Sequence, residues 1–219
     1  MVKDRKNVSD SIYEVIKENF LSGKLDFGDS IVESDYCKKY NISKTPLREA
    51  IKKLEIEGIV ERYPNGRMGI MDIDEESIEE IIEIRISLEN LIFKKIIKDG
   101  KIDEITKKLN QNLKLTEFYI ESCNLDEARK LFENFNEILY KFSGLKFTTK
   151  ILKNYTFILS KLRNNSLKNE KRVRKAFGEH KLLVKYLEEN NLGKLSELNT
   201  NHLLASKESI LKYFREKQN

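Results

Sequence analysis

Apolar positions three and four residues apart run through most of this chain, and they change to strict alternation in only one place. Ile12, Val15, Ile16 and Phe20 set a first helix at roughly residues 11–21, with Ser9 or Asp10 to cap its start and Gly23 to end it. The following KLDFGDSIV reads as a turn or short strand pivoting at Gly28. Residues 33–40 make a short second helix, stopped at Asn41, a residue that tolerates the left-handed conformation. Ser43 then caps a third helix, and Pro46 falls in its first turn, where its missing N–H removes no intrahelical bond. On that helix Leu47, Ala50, Ile51 and Leu54 share one face, while Lys44, Arg48 and Lys52 line up on another at intervals of four. Residues 59–63 and 68–73 are the alternating stretches, two short strands about a Pro64-Asn65-Gly66 turn.

Beyond Asp74 the helical period returns and persists. Blocks fall at about residues 75–98, 102–121, 125–142, 146–164, 169–189 and 192–217. Breaks are expected at Asp99-Gly100, Cys123-Asn124, Ser143-Gly144, Asn164-Asn165 and residues 190–193. Loops this short predict consecutive helices as antiparallel neighbours, and the unequal block lengths argue against a solenoid. The expected fold is mostly α: a winged helix-turn-helix over residues 1–74, then an all-helical bundle over residues 75–219.

Composition agrees and narrows the choices. Two prolines and no Trp in 219 residues suit a helical protein. No apolar run approaches the roughly 20 residues needed to cross a bilayer, and the leading MVKDRKNVSD is polar, so no membrane association and a cytoplasmic location are expected. Cys37 and Cys123 are far apart with no CxxC spacing, which points to buried or half-buried thiols rather than a disulfide framework or zinc cluster. The net charge of +5 is too mild to name a nucleic-acid partner. Its distribution says more: residues 1–74 carry 13 Lys or Arg against 14 Asp or Glu, yet residues 38–53 hold six cations against Glu49 alone. A second cluster, Lys161 to Lys175, has seven cations against Glu170 and reads as solvated helix surface or loop.

The run SKTPLREAI inside IYEVIKENFLSGKLDFGDSIVESDYCKKYNISKTPLREAIKKLEIEGIVERYPNGRMGIMDID resembles the S-R-T-P-x-R-E-A-L core of the DNA-binding domain of the GntR family of bacterial transcription regulators, over about residues 8–74. The helical remainder resembles the FCD-type effector domain of the FadR subfamily: EIRISLENLIFKKI its opening helix, FENFNEILYKFSG its middle, EHKLLVKYLEENNLGKLSELNTNHL its closing pair. The resemblance implies a homodimer that reads a palindromic double-stranded operator and senses a small organic acid, often through a divalent metal held by one acidic residue and three histidines.

At the DNA the implied contacts are Ser43, Lys44, Thr45, Arg48 and Lys52 from the third helix, in the major groove, and Asn65, Gly66 and Arg67 from the wing tip, in the minor groove. Lys44 replaces the family's usual Arg and lacks the planar fork for guanine. In the helical domain His180 and His202 keep the spacing of the last two metal ligands, but Phe132 and Asn136 stand where the first two would be. A divalent ion would then be held weakly, and no cofactor is firmly implied. Arg85 takes the place of an effector-facing arginine, and with Asn136, His180 and His202 it would form the polar centre of a pocket. Two plainer readings stand beside this one: the histidines as satisfied core residues, and Arg85 as an ordinary partner of Glu83 or Glu89. An enzyme is not expected, for no nucleophile-base pair or phosphate loop appears. The alternative to an effector-responsive regulator is one whose bundle serves only for dimerisation.

Overall fold

The computed structural model describes residues 5–166 and 170–218, and the chain divides between Asp74 and Glu75 into two compact units. In the first, α1 (Arg5–Leu21), α2 (Glu33–Tyr40) and α3 (Lys44–Ile56) precede a hairpin of β1 (Val60–Arg62) and β2 (Met68–Ile70). Ile16, Phe20, Leu47, Ala50, Ile51 and Leu54 are buried, so the apolar face of α3 packs on α1 as its phase requires. Asn41 ends α2 in the left-handed region at φ 50°.

Several local expectations need correction. Helix α1 begins by Arg5, so neither Ser9 nor Asp10 caps it: Ser9 is buried inside the helix and Asp10 pairs with Lys53. The added turn is mostly polar, so no apolar stripe marks it. Ser43 holds the N-cap position of α3 with extended backbone, but its side chain makes no capping bond. Both strands are shorter than the alternation suggested, and the outer edge of β2 is taken by the segment after α1. There Ile31 N donates to Met68 O, Ile70 N donates to Asp29 O, and Ser30 bridges Gly69. A Cβ on Gly69 would lie 2.7 Å from Asp29 O, so only glycine admits that third edge.

The second unit consists of α4 (Glu75–Asp99), α5 (Ile102–Glu121), α6 (Leu125–Ser143), α7 (Lys146–Ser166), α8 (Glu170–Glu188) and α9 (Leu192–Gln218). Ile92, Phe93, Leu109, Phe135, Leu139 and Leu183 anchor its main core. Helix α7 runs through the expected break at Asn164-Asn165 to Ser166, and the predicted start at Asn169 lies outside the described residues. Consecutive helices are neighbours only in part. Helix α5 packs on α6, and α8 on α9, but α4 packs chiefly on α9, and α7 also lies on α9. A short loop fixes where the next helix starts, whereas the apolar stripe decides what it packs against. Cys37 is half-buried as expected, but Cys123 is exposed, at a positive-φ position of the turn after α5. Among the described residues no helix is long and apolar enough to cross a membrane.

Candidate nucleic-acid interface and helical cavity

In the first unit Ser43, Lys44, Thr45, Arg48, Lys52, Asn65, Gly66 and Arg67 are all exposed. The first turn of α3 presents backbone N–H groups that the Ser43 hydroxyl does not cap, a feature suited to an anion such as a phosphate. Arg48 is already engaged: Nε donates to both Glu33 oxygens at 2.9 and 3.1 Å, and Nη2 donates to Oε2 at 2.9 Å. That bond, with the nearby charges of Arg48, Lys44 and Arg62, holds the Glu33 carboxyl below its ordinary range, so Glu33 stays ionised. Glu33, from α2, was not singled out in the sequence, because nothing local reveals a partner fifteen residues away.

At the wing tip Asn65 Oδ1 accepts from Arg67 N at 3.0 Å, and Gly66 adopts φ +80°. Asn65 therefore shapes the turn with its carbonyl and keeps its amide N–H groups for a partner. Arg67 lies over the Tyr63 ring at 4.7 Å, which holds its guanidinium beside the tip.

In the second unit one cavity brings together Arg85 from α4, Asn136 from α6, Arg163 from α7, Arg172 and His180 from α8, and His202 from α9. Phe132, Ala176 and Leu203 add apolar wall. The open space is small, about 30 Å³ for the centre of a water-sized sphere. The four residues expected to share a pocket do so, and two arginines join them that the sequence reading had placed on a solvated surface. Arg163 and Lys161 are buried and Arg172 nearly so, while Lys168 of that cation cluster lies outside the described residues. Helical phase carried a signal for one of them: Arg172 precedes His180 by eight residues, two turns along one face.

Each guanidinium in the cavity has a carboxylate. Arg85 donates from Nε and Nη2 to Glu89 Oε1 at 3.1 and 2.8 Å, and Tyr140 Oη donates to the same oxygen at 2.9 Å. Glu89, not Glu83, is thus the partner of Arg85. Burial alone would depress the Arg85 pKa, but Glu89 and Tyr140 more than reverse this, whereas burial prevails at Arg163 against the pull of Glu133. Arg163 Nη2 donates to Glu133 at 2.8 Å, and Arg172 Nη1 to Glu179 at 3.3 Å. Glu179 also accepts from His202 Nδ1 at 2.6 Å. Burial raises the cost of its charge, yet His202 and Arg172 hold the Glu179 carboxyl below its ordinary range.

His180 is pressed between aromatic rings, with Phe135 stacked at 4.3 Å and Phe132 edge-on at 4.9 Å; the His202 ring lies 5.0 Å away. Burial, then His202, Arg163 and Arg172, push its pKa well below the usual imidazole value, so the ring is neutral. Its Nδ1 is buried and has no hydrogen-bond partner among the described residues, and the same holds for Arg172 Nε.

The donor set does not fit a divalent metal. Glu179 orients His202 as a carboxylate orients a metal-binding imidazole, yet only two imidazoles face the cavity. Phe132 puts a ring against His180, and three arginines line the space a cation would fill. Among the described residues no group of three His, Cys, Asp or Glu is placed to share an ion.

Comparison with known proteins follows the same division. The model for bacterial regulatory proteins of the gntR family matches residues 8–70, and the FCD domain model matches residues 80–205. The HTH-type transcriptional regulator YdhC of Bacillus subtilis is 26% identical over 194 residues, 88% of this chain and 84% of that protein. The gluconate operon transcriptional repressor of the same organism is 26% identical over 125 residues, 57% of this chain and 49% of the repressor. Among solved structures, E. coli McbR/YncC superposes with a TM-score of 0.72 at 15% identity, over 97% of this chain and 99% of that one.

Proposed function

We propose, for a chain that belongs to the GntR family of bacterial regulatory proteins and carries an FCD domain, that it is a FadR-subfamily repressor whose operator affinity is set by a small organic acid. The observation that carries the DNA half is the exposed stripe of Lys44, Arg48 and Lys52 on α3, next to a wing whose tip presents Arg67. Lys44, Thr45 and Ser43 meet phosphates and base edges at the helix N-terminus, and Arg48 turns from Glu33 to a guanine or a phosphate. Asn65, Gly66 and Arg67 enter the neighbouring minor groove. The protein acts as a homodimer on a palindromic site, since one winged unit offers few base contacts.

Arg85, Asn136, His180 and His202 form the effector site. Binding there shifts the protein between forms of different operator affinity, and it does so only as far as the acid prefers one form. A second reading is favoured by one observation: each cavity arginine already holds a glutamate, as in a purely structural network. On that reading the bundle dimerises and senses nothing.

Selection of genomic fragments by the purified protein, followed by band shifts with small carboxylates, tests the proposal. It expects a two-fold-symmetric fragment that one of the acids releases. Fragments without symmetry would sink the DNA half, and an operator complex indifferent to every acid would favour the dimerisation reading.

A further inference from the structure

We propose that the cavity in the helical unit is a metal-independent oxyanion site in which Arg172 and His180, with Arg163 beside them, hold a compact carboxylate or phosphate group directly. This deepens the effector reading, and it rests on that reading only for any consequence at the DNA.

Three guanidinium groups from α4, α7 and α8 border one small space. A guanidinium can only donate hydrogen bonds, so whatever completes it must accept them. Arg85 is largely committed, with Nε and Nη2 both donating to Glu89 deep in the fold. Arg172 is not, because Nη1 serves Glu179 while Nε is buried with no partner among the described residues. His180 Nδ1 is in the same condition, its residue lines the same cavity, and it donates in one neutral tautomer. Two buried nitrogens without partners, on two residues that line one cavity, call for hydrogen-bond acceptors that the described residues do not supply. A purely structural arginine would gain nothing from an Nε sealed away from water.

Size and charge restrict the ligand. Space of about 30 Å³ for sphere centres admits an acid group with little attached, not an extended chain. Phe132, Ala176 and Leu203 supply apolar wall that strengthens the charge-assisted bonds. A metal in the family's arrangement would bring positive charge to the acid; here Arg163 and Arg172 bring it as fixed side chains. The same cations repel a divalent ion.

Protein dialysed against EDTA and then into chelator-free chloride buffer is titrated calorimetrically with inorganic phosphate and with acetate at constant ionic strength. At least one anion is expected to bind in preference to chloride, with affinity unchanged by added Zn²⁺ or Mn²⁺, and the tighter of the two identifies the source of the acid group. Arg172→Gln and Arg163→Gln should each weaken that binding about tenfold or more, and Arg172→Lys, which keeps the charge but not the fork, should restore only part of it. Circular dichroism checks that the variants fold, and if neither does, the parent titrations with and without metal still decide. Binding no better than chloride, binding that needs a divalent ion, or folded variants that bind like the parent would each overturn the proposal. Operator DNA is absent from this titration. An anion that binds without altering operator affinity therefore sinks the effector reading and leaves this one standing, and an operator response that needs metal does the reverse.

Discussion

Arg48 on α3 and Arg85 on α4 both grip a glutamate with two nitrogens, but they do so in different surroundings. The Arg48 side chain is 62% exposed and that of Arg85 3%. Water stands ready to replace Glu33 on Arg48, so the surface pair is weak and can be traded for a phosphate or a base. Nothing replaces Glu89 on Arg85. The same chemistry thus gives a movable contact in one unit and a fixed strut in the other, and burial rather than residue type decides which.

The largest effect should come from breaking the strut. Glu89→Ala leaves a guanidinium buried without its counter-charge, and urea unfolding should show a loss of about 3–5 kcal/mol. A loss under about 1 kcal/mol would mean the site is wet and the contrast false. Tyr140→Phe, which removes the hydroxyl donor to Glu89, should cost about 1.5–3 kcal/mol by the same measurement.

Acidification should act next. The His180 pKa is depressed in the folded chain, so the unfolded chain binds the proton first, and stability falls as pH drops below the ordinary imidazole value of 6.5. The loss should approach about 1.4 kcal/mol per pH unit for this one group, seen as a fall in the urea midpoint from pH 7.5 to 5.5. His180→Leu should remove most of that slope; an equal slope in the variant would assign it elsewhere. Glu179, also depressed, contributes only at lower pH, as it falls through the carboxylate range. Least of all on the fold should be Glu33→Gln, with a melting temperature indistinguishable from the parent's.

The helix order, the wing and the core face of α3 were legible because each is written in local periodicity. Leu47, Ala50, Ile51 and Leu54 carry their phase on the page. The meeting of Arg85, Asn136, His180 and His202 was legible through resemblance, not pattern. Arg163 and Arg172 were misread as surface, since a run of cations looks solvated until distant helices close over it. The partners Glu33, Glu133 and Glu179 were invisible for a related reason: ion pairs join residues that tertiary packing brings together, and spacing does not encode them. The start of α1 was missed because a polar helix end leaves no apolar stripe.

The central claim is that the exposed arginine of α3 is released from Glu33 to read DNA. Fluorescence anisotropy with a labelled duplex from the genomic selection tests it most directly, comparing the parent, Arg48→Ala and Lys44→Ala at equal salt against a scrambled duplex. The account predicts two chains per duplex, a preference of about a thousandfold or more for the selected sequence, and loss of most of that preference in Arg48→Ala, with a smaller loss in Lys44→Ala and the fold intact. Equal affinity of Arg48→Ala and the parent for the selected duplex would contradict it.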